Sequence, residues 1–229
     1  MDRHERPVLG IIGGVGPVAT TNIIRTIQDR TSVTKEQDHV PILADIDSTL
    51  DSRVAAIKRG DPSVANQMVE NARRLEMAGA THLLIGSNTS HYYYSEIDAE
   101  TSAMVYHMPD LVGEYCHFEG YDSVMVFGTD LLCDLDIYGW AFADRECDVF
   151  YPAEQAMAMD VIYDVKDGFM DEAQASFELL MERHREYQPF VIGCTEFSVL
   201  DSSGFDTIDP VEVVADRVVS ELGGRDTRI

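Results

Sequence analysis

The chain has 229 residues, 45% of them hydrophobic and 25% charged, which is enough for one large α/β domain or two small lobes and is not the composition of a disordered chain. A formal net charge of −24 argues against nucleic acid and anionic membrane surfaces as partners, because like charges repel. Cys116, Cys133, Cys147 and Cys194 contain no CxxC pair and the seven histidines no HExxH or HxH spacing, which speaks against a disulfide scaffold and leaves a metal site without support.

Val8 to Ile12 reads as a first strand, followed by the turn Gly13-Gly14-Val15-Gly16-Pro17 and a helix through about Arg30, with Pro17 suited to its first turn. The polar opening Met1 to Arg6 and the short, glycine-broken apolar run after it give no signal-peptide pattern, so a cytoplasmic protein is expected. Pro41 to Ile46 is a second strand. Asp61-Pro62-Ser63 starts a helix with an apolar face of Val64, Met68, Ala72 and Leu75, Gly79 closes it, and a strand runs to Ile85. Tyr92-Tyr93-Tyr94 reads as helix packing. Strand and helix alternating in this way predict a parallel sheet with right-handed crossovers.

The pattern then starts again. Val124 to Phe127 and Gly128-Thr129 mirror the first strand and turn, Asp148 to Tyr151 is a short strand, Met170 to Tyr187 a long helix, and Phe190 to Ile192 the matching third strand. The last helix, Pro210 to Leu222, is expected to return to the first lobe. The predicted fold is α/β, with two pseudo-symmetric doubly wound lobes, parallel four-stranded-type sheets and an interlobe active-site cleft. The expected lobes are 1–100 plus 205–229 and 101–204.

Two stretches carry the chemistry. Leu83-Leu84-Ile85-Gly86-Ser87-Asn88-Thr89 and Phe190-Val191-Ile192-Gly193-Cys194-Thr195-Glu196 are each an apolar run ending in Gly and a small nucleophile-type side chain, one a hydroxyl and the other a thiol. Ligands in open α/β sheets bind beyond the carboxyl ends of the strands, where both residues fall. Gly14 to Ala19 also matches a dinucleotide fingerprint, with Asp45 or Asp47 on offer as the ribose-binding acid. A turn whose Gly14 and Val15 amides meet a substrate carboxylate at a helix N-terminus accounts for the same residues without a cofactor, and no cofactor is expected.

The run Gly10-Ile11-Ile12-Gly13-Gly14-Val15-Gly16-Pro17-Val18-Ala19-Thr20 resembles the opening of the aspartate/glutamate racemase family, of the aspartate racemase type. Asn88-Thr89-Ser90-His91, Pro152-Ala153-Glu154-Gln155, Gly193-Cys194-Thr195-Glu196 and Ile208-Asp209-Pro210 follow in that family's order, over essentially the whole chain. The resemblance implies a cofactor-independent, two-base amino-acid racemase, commonly a homodimer, in which one cysteine removes the α-proton and an opposite one returns a proton. Cys194 matches one of these cysteines; Ser87 stands where the other belongs. It further implies carboxylate binding by Asn88, Thr89, Thr195, Glu196 and the Thr129 loop, with Arg53 as the substrate-carboxylate arginine and Lys166 as the side-chain-carboxylate lysine.

A serine is a poor base unless a neighbour takes its proton, and His91, four residues on, is a candidate helper or merely a packing residue. The loop after Thr129 also departs from the family, with Asp130 and Cys133-Asp134-Leu135-Asp136, and Asp45, Asp47 and Asp51 surround Arg53 where neutral residues are typical. Carboxylates lining the cleft would repel a dianionic substrate, so either they point into solvent or the substrate differs from aspartate and carries a cationic or hydroxylated group. With serine in place of one cysteine, the rival expectations are a one-cysteine decarboxylase or isomerase and a non-catalytic binder of an acidic metabolite. Three lysines against fourteen arginines, with Asp outnumbering Glu, point to a protein suited to a salty cytoplasm, because dense surface carboxylates repel one another unless screened. The thermal midpoint should then rise steadily from dilute buffer into molar KCl, and a flat response in differential scanning calorimetry would exclude salt adaptation.

Overall fold

A computed structural model describes residues 6–14 and 16–223. The first half runs β1 (Leu9–Gly13), α1 (Pro17–Arg30), β2 (Ile42–Ile46), α2 (Arg53–Arg59), α3 (Ser63–Met77), β3 (His82–Ile85), α4 (Tyr94–Ala99) and β4 (Met104–Tyr106). The second continues with α5 (Met108–Glu119), β5 (Ser123–Phe127), α6 (Asp130–Asp134), α7 (Ile137–Phe142), β6 (Asp148–Phe150), α8 (Gln155–Asp167), α9 (Met170–Arg183), β7 (Phe190–Ile192), β8 (Thr207–Ile208) and α10 (Pro210–Leu222). The strands form two four-stranded sheets of the same order, β2-β1-β3-β4 and β6-β5-β7-β8, parallel throughout.

The chain divides into two compact units, one through Met108 and again from Val214, the other from Pro109 to Val213. This moves both expected boundaries, for a reason in the pairing. Met104 to Tyr106 pairs with β3 and so belongs to the first unit, while Thr207 and Ile208 pair with β7 and belong to the second.

In the first unit the apolar face read from the α3 sequence is the buried one: Val64, Met68, Ala72 and Leu75 pack with Ile12, Leu83 and Ile85 of the sheet. Helix α1 buries Ile23 and Ile27 and starts at Pro17, whose missing N–H costs nothing at a first turn. The last helix is fastened to this unit by two long-range pairs: Arg30 Nη1 donates to Asp216 at 2.8 Å, and the Tyr106 hydroxyl donates to Glu221 at 2.8 Å.

In the second unit the side chains of β5 alternate between two cores, as a strand's period of two requires. Met125 and Phe127 meet α8 and α9 through Val161, Ile162, Phe177 and Leu180, whereas Val124 and Val126 meet Val112, Leu132 and Tyr138. Each fully buried aromatic or aliphatic side chain contributes about 1.5–3 kcal/mol. The long helix expected over 170–187 stops at Arg183 and ends in a 3₁₀ turn, Arg185–Tyr187. Helix α8 ends at Gly168 in the left-handed conformation (φ 85°), which turns the chain into α9.

Both central strands end alike. The Gly86 N–H donates to the Ile12 carbonyl at 2.9 Å, and the Gly193 N–H donates to the Phe127 carbonyl at 2.7 Å, so β3 locks onto the end of β1 as β7 does onto β5. A Cβ on Gly193 would lie 2.8 Å from the Phe127 carbonyl oxygen, and one on Gly86 would lie 3.1 Å from that of Ile12. Gly193→Ala should therefore destabilise the fold by about 2 kcal/mol in urea unfolding. A Cβ on Gly204 meets nothing within 4 Å, and Gly204→Ala should stay within about 0.5 kcal/mol of the parent.

Candidate active site

Ser87 follows the β3 glycine and leads into a 3₁₀ turn over Thr89–Tyr93. Ser87 precedes this turn and Ser90 lies within it. Arg53, at the start of α2, reaches both: its Nη1 donates to Ser87 Oγ at 2.7 Å and to Ser90 Oγ at 2.8 Å. The Ser52 side chain caps α2 by accepting from the Ala55 N–H at 3.4 Å. Arg53, which the resemblance implies as the substrate-carboxylate arginine, here holds the two serines.

His91 does not serve as a proton relay for the Ser87 hydroxyl. Its Nδ1 donates to the Ser87 carbonyl at 2.9 Å and lies 3.2 Å from the Asn88 carbonyl, while its Nε2 accepts from the Met108 N–H at 3.1 Å. Both ring nitrogens are committed to backbone, and these partners select the neutral Nδ1–H tautomer. Burial first, and then the neighbouring His107, push its pKa down to about 3. His91 is a clip that fixes the backbone of residues 87 and 88. Asn88 is buried beside it and Thr89 is half-buried at the head of the turn.

Cys194 follows the β7 glycine and is buried. Its Sγ donates to Glu196 Oε2 at 2.9 Å; the Thr195 hydroxyl points at the same oxygen from 3.4 Å, and Lys166 Nζ lies 3.5 Å from Glu196 Oε1. Burial and then the Glu196 carboxylate hold the thiol well above its ordinary pKa, so Cys194 rests protonated. Burial alone would raise the Glu196 carboxyl, but the Cys194 hydrogen bond and the Lys166 ammonium leave it below its ordinary value. Glu196 and Lys166, expected as substrate ligands, are here the thiol's acceptor and that acceptor's counter-ion. Lys166 is half exposed at the end of α8.

The remaining expected residues are placed as follows. Thr129 caps α6, its Oγ1 accepting from the Leu132 N–H at 3.2 Å. Gly14 has φ 88° and a Cβ there would lie 2.1 Å from the Asp47 carbonyl oxygen; its N–H is turned to Thr20 Oγ1 at 3.4 Å and is not displayed as an anion donor. Val15 lies outside the described residues. Asp45 and Asp47 are claimed by Arg74, at 2.8 and 3.3 Å, and Asp47 also accepts from the Thr49 hydroxyl at 2.6 Å. Asp51 shares a side-chain pair with Gln67 at 3.2 Å. The carboxylates near Arg53 in sequence are thus tied to other partners. Cys133 is buried in the core beside Tyr138 and Ile137, and burial and the nearby Asp134 push its pKa up to about 12. Cys116 and Cys147 are buried in the same core. Asp136 supplies the left-handed residue (φ 51°) that starts α7. Tyr93 is buried and Tyr92 exposed, their rings in edge contact at 5.1 Å.

Sequence reasoning did not single out Ser90, whose contact with Arg53 spans 37 residues and leaves no local signal. Among the described residues no group of three His, Cys, Asp or Glu is arranged to hold a metal, and no helix is long and apolar enough to cross a membrane.

Two parallel sheets of one order, each with a glycine and then a proton-bearing side chain at the end of its third strand, define the two-lobe α/β fold of the racemases. The chain belongs to the Asp/Glu/hydantoin racemase family, whose model matches residues 12–218. It is similar to the aspartate racemase of Picrophilus torridus, with 26% identity, a TM-score of 0.86, and coverage of 96% of this chain and 95% of that one. An aspartate racemase homologue from Pyrococcus horikoshii shares the fold at 18% identity and a TM-score of 0.74, covering 93% and 97%. A glutamate racemase of Bacillus anthracis does so at 16% and 0.68, covering 97% and 85%. Family membership supports a racemase-type enzyme.

The thiol's environment makes a pH prediction. Because the Glu196 carboxylate raises the Cys194 pKa, Glu196→Gln should shift the pH midpoint of Cys194 alkylation by iodoacetamide downward. Because burial is the larger cause, the midpoint should remain above that of an ordinary thiol. Peptide-resolved mass spectrometry separates this cysteine from the other three, and an upward shift would contradict the assignment of Glu196 as its partner.

Proposed function

We propose that the chain catalyses cofactor-independent proton transfer at the α-carbon of a small amino acid or carboxylic acid, most simply as an aspartate/glutamate-type racemase, with Cys194 as principal acid/base and Ser87 as the second group. The observation that carries this reading is the Cys194 thiol donating to Glu196 at 2.9 Å. A thiol is inert as a base until it loses its proton, and Glu196 is the group to which that proton is directed, an uphill transfer at rest because the thiol is held above its ordinary pKa and the carboxylate below its own. Glu196 takes the thiol proton, the thiolate takes the α-proton, and the carbanion is left with its charge spread onto the substrate carboxylate.

Stabilising that charge falls to donors close to Ser87 and Cys194. Arg53 suits a carboxylate through its planar fork, and Asn88, Thr89 and Thr195 add side-chain and backbone donors. Lys166, half exposed and 3.5 Å from Glu196, is loosely held enough to meet a second substrate carboxylate. With Asp45 and Asp47 bound to Arg74, the case for a cationic substrate weakens and a dianionic one gains. The reading includes a cytoplasmic homodimer acting on a free metabolite.

A second reading, decarboxylation or one-sided isomerisation by a single cysteine, is favoured by Ser87 itself. Departure of CO₂ makes the carbanion without a base, and only a proton donor is then required. Proton NMR in D₂O with a panel of small amino and carboxylic acids separates the readings. We expect loss of an α-proton signal that drops at least about a hundredfold in Cys194→Ala, and a further gain of two-way racemisation in Ser87→Cys. A new product lacking a carboxylate selects the lyase, and ligand-induced stabilisation without any turnover selects the binder.

A further inference from the structure

The Arg53 Nη1 nitrogen carries two hydrogens, and Ser87 Oγ and Ser90 Oγ take one each, at 2.7 and 2.8 Å. Ser90 is fully buried. A serine in a helical turn ordinarily turns its hydroxyl back to a carbonyl three or four residues earlier. Here the Ser90 oxygen instead receives the guanidinium. The backbone at residues 87 and 88 is fixed independently, by the His91 ring. Ser87 is therefore restrained at both its carbonyl and its hydroxyl, and Ser90 holds the cation that restrains the hydroxyl.

This arrangement gives the Ser87 hydroxyl a direction. Its oxygen accepts from an N–H of Arg53, so its own hydrogen points away from the guanidinium and is available to donate. The adjacent cation also favours the charged form left behind when that hydrogen goes. Resting on the α-proton-transfer reading, we propose that Ser90 is a positioning residue for proton return: it keeps Arg53 Nη1 on Ser87, so that Ser87 gives a proton to the carbanion and does not take one from the substrate. In that step the Ser87 O–H bond breaks and a C–H bond forms with the carbanion's electron pair. The O–H pair stays on Oγ as an alkoxide beside Arg53, and water restores the proton. Nothing is oxidised or reduced.

The test uses the full chain as wild type, Ser90→Ala and Ser90→Thr, with two readouts. The first is the side-chain ¹⁵N spectrum, in which the signal lost in Arg53→Lys identifies the Arg53 Nη groups. A pinned guanidinium gives a resolved, slowly exchanging signal, expected in wild type and Ser90→Thr and collapsed into the bulk arginine envelope in Ser90→Ala. The second takes L-aspartate and D-aspartate separately as probes in D₂O, comparing α-proton washout by NMR with inversion by chiral chromatography. Washout reports proton removal by Cys194; inversion requires return from the other side.

In Ser90→Ala the inversion-to-washout ratio should fall roughly tenfold, the scale of one hydrogen bond to a charged group, with washout changed less than about threefold and Ser90→Thr restoring the ratio. An Arg53 signal unaltered by Ser90→Ala overturns the proposal, as does a common fall in both rates at an unchanged ratio. Should neither aspartate lose its α-proton, the racemase reading fails for that substrate, and the Arg53 signal alone decides whether Ser90 positions the cation.

Discussion

The placement of Ser87 and that of Cys194 each hang on one backbone hydrogen bond, from the Gly86 N–H to the Ile12 carbonyl in the first unit and from the Gly193 N–H to the Phe127 carbonyl in the second. Each carries the parallel ladder one residue beyond the strand proper and draws two backbones too close for a side chain on that face. The next residue is the first one free of the sheet, yet its position is as fixed as that of the strand behind it. The proposed proton transfer calls for such placement, since small displacements cost orders of magnitude in rate. Loops alone would supply the chemistry of Ser87 and Cys194 without the precision.

Ser87 and Cys194 are placed alike and biased oppositely. The hydroxyl is held by a cation, Arg53, and the thiol by an anion, Glu196. A positive neighbour makes a weak acid stronger and a negative neighbour makes a stronger acid weaker. The electrostatics therefore act to narrow the large intrinsic gap between a serine and a cysteine. Without these two neighbours the gap would stand at full width.

How much of this could be read in the sequence depended on range. Strands β1, β3, β5 and β7 were visible because each apolar run stops at a glycine, and α3 because Val64, Met68, Ala72 and Leu75 repeat at helical spacing. The short helices α6 and α7 and strand β8 carry too few residues for any period to show. Ser87 and Cys194 were legible from local pattern, whereas their partners were not: Arg53 lies 34 residues from Ser87. For His91 the i, i+4 spacing placed it near Ser87 and left two roles open, helper or packing residue, of which the structure shows the second. Spacing does not say which atom is met, and the ring meets the carbonyl rather than the hydroxyl. Asp45 and Asp47 looked like repulsive charge only because Arg74, one helix away, was not yet beside them.

The discontinuity of the first unit bears on how the chain is made. Arg30 and Tyr106 wait for Asp216 and Glu221, the latter 115 residues further along than Tyr106. Synthesis runs from the N-terminus, and continuous domains commonly fold as they emerge. Here the stretch from Pro109 to Val213 has its whole sheet in hand before α10 exists, while the earlier segment still lacks its closing helix. The part of the protein synthesised first is thus completed last, when Asp216 and Glu221 reach Arg30 and Tyr106.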